Sequence, residues 1–180
     1  NNYFCFIDQE QENSFENQLY HVPYIPNYLK RIADILKLIE SRTGIKVRIA
    51  LHHRRNIIPD EFKCFECFKN DTINVIKDSK LVLTHNSTAL NFAILFKKPI
   101  TLIWLEEFEI RLSKYATMKK LKNEINCDIL NENDEIDNYD FIKNIDDKKY
   151  EFFIKKYINF YEKIPFEHPW VTIDKKLVKL

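Results

Sequence analysis

The sequence predicts an α/β protein, a parallel sheet with helices on both faces. Three observations predict it. Short β-rich apolar runs alternate with helical stretches along the chain. One stretch, KLVLTHNSTALNFAILFKKPITLIW from Lys80 to Trp104, compresses strand, turn, helix and strand into a single βαβ unit. The polar residues of that unit fall just after its first strand, where ligands sit in open parallel sheets.

The first element is YFCFID, Tyr3 to Asp8, a short aromatic strand ending in an acid. Gln9 to Asn17 is polar and reads as a loop, and Tyr20 to Pro26, with two prolines, as an extended segment. A helix is expected from Asn27, with Leu29, Ile32, Ala33, Leu36 and Ile39 on one face and Gly44 as its C-terminal cap. Ile45 to Leu51 is the next strand, ending in the basic turn His52-His53-Arg54-Arg55. Phe62 to Phe68 is a candidate strand, and Asp71 is placed to cap a short helix over Thr72 to Asp78.

Within the central unit, Lys80 to Thr84 is a strand, and Ala89 to Phe96 is a helix apolar on nearly every side, hence expected to be buried all round. Asn86 or Ser87 suits its N-cap, and a helix start attracts anions. Pro99 ends the helix and Ile100 to Trp104 is the following strand. Glu107 to Asn126 reads as a helix with a basic outer face, and Cys127 to Leu130 as a short strand. Asn131 to Asp147 is an acidic, polar loop; Lys148 to Lys163 is a helix lined by Tyr150, Phe153, Ile154, Tyr157, Ile158 and Tyr161.

The 180 residues suffice for one domain, and 45% hydrophobic with 14% aromatic residues exclude a disordered chain. A net charge of +1 supplies no whole-chain field for nucleic acid, so no nucleic-acid partner is expected. No apolar run reaches the ~20 residues of a membrane span, and no leader is read at Asn1-Asn2. The lack of an initiator Met suggests a piece of a longer protein. Four scattered cysteines read as reduced thiols in a cytoplasmic protein. A single glycine excludes the glycine-rich dinucleotide and P-loop fingerprints.

Three loops after strands are expected to converge on one sheet edge: His52 to Arg55, Thr84 to Thr88, and Glu106-Glu107. They suit a phosphorylated, hydroxyl-rich ligand. Arg54 or Arg55 can grip a phosphate, Ser87 and Thr88 can donate to it, and Glu106 or Glu107 can accept from ribose or sugar hydroxyls. Taken singly, each has a plainer role: Ser87 as a cap, the arginines as a solvated turn, the glutamates as helix-dipole partners. His85 is open between a base, a phosphate ligand and a satisfied histidine beneath the sheet edge. Cys64-x-x-Cys67 lacks a second pair and reads as structural; in an extended segment its two thiols point to opposite faces. His21 and His168 have no evident partner. The acidic loop (Glu132, Asp134, Glu135, Asp137, Asp140) does not match an EF-hand and reads as solvated, so no metal site is expected.

The run DSKLVLTHNSTALNFAILFKKPITLI resembles the C-terminal, donor nucleotide-binding half of GT-B-type bacterial glycosyltransferases, nearest to sialyltransferases and Kdo transferases of surface polysaccharide synthesis. Such proteins carry a strand ending in His-Pro-Arg and a later His-x-Ser-Thr turn followed by an apolar helix and Lys-Pro. Here His52 and Arg54 match the first motif, with His53 in place of proline. His85-Asn86-Ser87-Thr88 and Lys98-Pro99 match the second, and FIDQ, Phe6 to Gln9, matches the first strand. The resemblance covers most of residues 3–105. It implies a Rossmann-like fold, one half of a GT-B protein, with His52, Arg54, His85, Asn86, Ser87 and Thr88 at the donor phosphate. It implies a nucleotide-sugar donor with CMP favoured and no cofactor. The glycan acceptor would be held by a missing N-terminal domain, at a site peripheral to the inner membrane. Such a half would be inactive alone, and its catalytic residues are not assigned. Two other readings stand beside it: a non-catalytic interaction module that keeps the fold, and half of a sugar-nucleotide epimerase-like protein.

Overall fold

The computed structural model describes residues 2–12, 25–109, 112–136, 139–141 and 144–158. His21, His168, Asp137, the extended segment up to Tyr24 and the last helix beyond Ile158 lie outside them. The chain runs β1 (Tyr3–Ile7), α1 (Tyr28–Thr43), β2 (Lys46–Ala50), a 3-10 turn (Asp60–Phe62), β3 (Glu66–Phe68), α2 (Thr72–Asp78) and β4 (Leu81–Thr84). It continues with α3 (Leu90–Leu95), β5 (Ile100–Trp104), a second 3-10 turn (Glu106–Phe108), α4 (Leu112–Ile125), β6 (Asp128–Asn131), α5 (Asp147–Phe153) and a π turn (Ile154–Ile158).

The six strands form one sheet in the order β3-β2-β1-β4-β5-β6. Every pairing is parallel, with Phe6 opposite Ile49 on one side and Leu83 on the other. This is a Rossmann-like α/β fold: the order reverses between β1 and β4, which opens a crevice at their carboxyl ends. Strands β1, β4 and β5 are buried at every position, as central parallel strands covered on both faces must be. Alternation along β1 identifies the two faces. The Phe6 ring meets Phe62 and His85, and His85 in turn meets Tyr28 at the start of α1. Tyr3, on the opposite face, donates its hydroxyl to the Val75 carbonyl of α2.

Helix α1 follows its expected apolar stripe, burying Ile32, Ala33, Leu36 and Ile39. Gly44 ends it at φ 66°, its N–H donating to Glu40 O, a conformation glycine adopts without steric cost.

Several expectations change. Helix α3 is half-buried rather than buried all round: Leu90, Ala93 and Ile94 face the core, while Asn91 is exposed and Phe92, Leu95 and Phe96 are partly exposed. Residues 87–89 are spent on successive three-residue turns, so the regular helix starts only at Leu90. Left-handed Lys97 closes it before Pro99. Glu106–Phe108 is a separate turn, and α4 begins at Leu112 rather than Glu107. Asp71 does not cap α2 with its side chain; Oδ1 accepts from Asn74 Nδ2 at 2.6 Å instead. The loop over 131–147 is not purely solvated, because Ile136 and Phe141 are buried and Phe141 lies 6.1 Å from Phe4. Cys64 and Cys67 do not share an extended segment: Cys64 is exposed in the turn before β3, and Cys67 is half-buried within it.

Candidate functional site

The crevice at the strand order reversal holds an open cleft of about 200 Å³. Ile7 and Asp8 form its floor beyond β1, Ala50 to His53 the wall beyond β2, and Asn70 and Thr72 the passage from β3 into α2. Ser87, Thr88 and Ala89 close the β4 side. Loops from four strands thus meet at one edge, as their common parallel direction requires.

Asp8 organises the β2 side. Its side chain is fully buried and accepts four donors. Oδ2 takes the His52 N–H at 3.0 Å and Arg55 Nε; Oδ1 takes Arg55 Nη2 at 2.9 Å and the Glu10 N–H at 3.1 Å. Arg55 also pairs with Glu12 Oε1 at 2.6 Å. A guanidinium so enclosed is held by two carboxylates of its own chain, so Arg55 is not the phosphate grip its sequence position suggests. Arg54 remains exposed beside the cleft.

His52 lines the cleft with its Nδ1 3.3 Å from Glu10 Oε2 and its ring 4.3 Å from that of His53. Burial, and then the neighbouring His53, hold its pKa below the usual imidazole value, outweighing the raising influence of Asp8 and Glu10; Arg54 adds to the lowering. Glu10 itself sits at φ 49°, a left-handed conformation uncommon for glutamate, where the chain leaves β1.

The β4 side is held differently. Asn86 exchanges two main-chain hydrogen bonds with the Gln9 side chain: its N–H donates to Gln9 Oε1 at 2.9 Å, and its carbonyl accepts from Gln9 Nε2. Ser87 Oγ accepts the Ala89 N–H at 3.2 Å, so the hydroxyl steadies the first turn as a cap would.

Of the three readings open for His85, the structure shows the satisfied histidine. It is fully buried. Nδ1 lies 2.6 Å from the Ile103 carbonyl, which can only accept, so Nδ1 bears a proton. In the neutral ring Nε2 then accepts from the Tyr28 hydroxyl at 3.0 Å. Phe6 and Phe108 enclose the ring edge-on. His85 therefore supports the turn from beneath and is not among the residues lining the cleft.

Glu106 and Glu107 are also outside the cleft. Glu107 grips Arg31 of α1 through two bonds, Oε1–Nη1 at 2.6 Å and Oε2–Nη2 at 3.0 Å, and Glu132 holds the same guanidinium from Nε at 2.8 Å. Glu106 is exposed and accepts from Asn133 Nδ2 at 2.7 Å. Of the predicted residues, the structure brings His52, Ser87 and Thr88 together on the cleft, with Asn86 and Arg54 adjoining in sequence. Sequence reasoning missed Asp8, Gln9, Glu10, Asn70 and Thr72, and gave His53 no role beyond its place in the converging loop. The polar run directly after the first strand was the available signal for the first three.

Beneath the cleft, Asp8 and Glu12 share the guanidinium of Arg55, while Glu10 lies against His52.

No protein-family model matches the chain, and no curated protein sequence matches it significantly. Solved structures similar to it include the spinosyn forosaminyltransferase SpnP, with TM-score 0.44 and 9% identity over 86% of this chain and 34% of that one. A UDP-GlcNAc 2-epimerase from Methanocaldococcus jannaschii, in complex with UDP-GlcNAc and UDP, gives 0.36 and 13% over 85% and 44%. S. aureus MnaA, in a UDP co-structure, gives 0.41 and 16% over 93% and 48%. The chain spans between a third and a half of the length of these structures. Among the described residues no helix is long and apolar enough to cross a membrane.

Proposed function

We propose that this chain is the donor-binding part of a glycosyltransferase-like protein, taking a nucleotide sugar, with a CMP-sugar favoured, for bacterial surface polysaccharide or lipooligosaccharide synthesis. The observation that carries the reading is the cleft at the β1/β4 reversal. It is lined by His52, Ser87 and Thr88, the residues that the glycosyltransferase resemblance places at the donor phosphate. In this reading Ser87 and Thr88 donate to a phosphate oxygen. His52 donates a ring N–H, and Arg54 closes over the anion from the rim. The Asn70 carboxamide would take a sugar or ribose hydroxyl. Acceptor binding and transfer would require a further domain.

Thermal unfolding with CMP, UDP, GDP and ADP tests this. At about 100 times Kd a ligand adds roughly 2.7 kcal/mol to stability. A shift with one nucleotide, abolished by Ser87→Ala combined with Thr88→Ala, supports the reading and names the base. No shift with any nucleotide, for this chain and for the protein that contains it, refutes it.

The carboxylates beneath the cleft favour one alternative, a non-catalytic module that keeps the fold. Asp8 and Glu12 on one enclosed arginine, with Glu10 beside His52, disfavour a multiply charged phosphate while His52 is neutral. Nucleotide binding lost on Ser87→Ala counts against that alternative.

A further inference from the structure

We infer that Gln9 is a positioning residue for the cleft, its carboxamide setting the main-chain geometry from which Ser87 and Thr88 line the ligand position. The inference rests on the donor-site reading above.

The argument starts from the sheet. The β1–β4 register ends at Phe6 and Leu83, and beyond it the two strands diverge into loops. On the β2 side main-chain pairing persists one step further, as Asp8 N–H donates to the Ala50 carbonyl at 3.0 Å, and the Asp8 carboxylate then takes the His52 N–H. On the β4 side the next rung is supplied by a side chain. The Gln9 carboxamide accepts the Asn86 N–H and donates to the Asn86 carbonyl, the two bonds that a neighbouring strand would make. A primary amide offers an acceptor and a donor in one plane without charge, which a carboxylate or a hydroxyl cannot reproduce on one main-chain unit. Ser87 follows directly, and its hydroxyl oxygen accepts the Ala89 N–H of the turn that starts there, which leaves its O–H to donate. Asp8 and Gln9, adjacent where β1 ends, thereby hold the two walls of the cleft in mutual register across the point where the sheet splits. Ser87 and Thr88 have no other tie to β1 among the hydrogen bonds of the described residues.

Two variants test this, with amide exchange, melting temperature and nucleotide affinity as readouts. In Gln9→Ala the Asn86 amide exchanges about tenfold faster, while the Leu83 amide and the melting temperature change little. Affinity for whichever nucleotide of the panel the native protein binds falls about tenfold. Gln9→Glu behaves likewise near neutral pH and recovers towards native exchange below about pH 4.3, where a protonated carboxyl regains the donor. That recovery, measured against the native protein at each pH, separates positioning from lost bulk. Unchanged Asn86 exchange in Gln9→Ala overturns the inference, as does faster exchange with unaltered affinity. If the native protein binds no nucleotide, the donor-site reading fails instead, and the exchange of Asn86 alone upholds or overturns Gln9's hold on the turn.

Discussion

Asp8 and Arg55 form a two-point ion pair sealed from water, with 0% and 5% of their side chains exposed. It ties the end of β1 to the loop after β2 and gives the cleft a fixed floor. Removing one partner strands the other charge in a site that cannot solvate it. Arg55→Met is therefore expected to cost about 3–5 kcal/mol in urea unfolding, and Arg55→Met with Asp8→Asn appreciably less than the sum of the two single changes. A single-variant cost below about 1 kcal/mol would show that water reaches the pair.

His52 supplies a pH dependence whose sign follows from its lowered pKa. The folded state holds the ring neutral below the unfolded pKa of about 6.5, so the unfolded chain binds the extra proton first. The contribution of His52 is then fully present above that value and is lost as pH falls from it towards the folded pKa. Denaturant midpoints measured across this window should decline less steeply in His52→Gln. A phosphate anion in the cleft should move the native His52 midpoint upward in NMR titration; a midpoint indifferent to saturating nucleotide would place the anion elsewhere.

The cysteines should separate by burial. Cys64 is exposed. Burial raises the Cys67 thiol to about 11, and the Cys5 and Cys127 thiols to about 12. At pH 8 a thiol reagent should modify Cys64 rapidly and Cys67 slowly, and reach Cys5 and Cys127 only at the rate of unfolding. Mass mapping of the labelled peptides checks the order, and early modification of Cys5 would mean that β1 opens locally.

Arg31 gathers Glu107 and Glu132 from the loops beyond β5 and β6 onto α1. Its fork makes several charge-assisted bonds at once, so Arg31→Met should cost roughly 1–3 kcal/mol. Arg31→Lys should restore only part of that, because one ammonium cannot span two carboxylates with the same geometry. Full restoration by Lys would reduce the cluster to simple charge neutralisation.

The class of the fold and most of its elements were legible in the residues. The stripe of Ile32, Ala33, Leu36 and Ile39, the stop at Gly44 and the extent of α2 are local patterns, set by periodicity and backbone preference over a few positions. The meeting of His52 with Ser87 and Thr88 on one cleft was legible too, because parallel strands deliver the loops that follow them to one edge.

What the sequence by itself determined, then, is the alternation of buried strands and one-sided helices, and with it the edge on which the polar loops gather. Only the tertiary structure decided which of those polar groups remain open to a ligand. Asn86 meets Gln9 across 77 residues, Arg55 meets Asp8 across 47, Glu107 meets Arg31 across 76, and His85 meets Tyr28 across 57. A charged or polar side chain carries no local mark of whether a distant partner will satisfy it. That is settled only when packing strips its water away and leaves whichever groups lie within hydrogen-bonding reach.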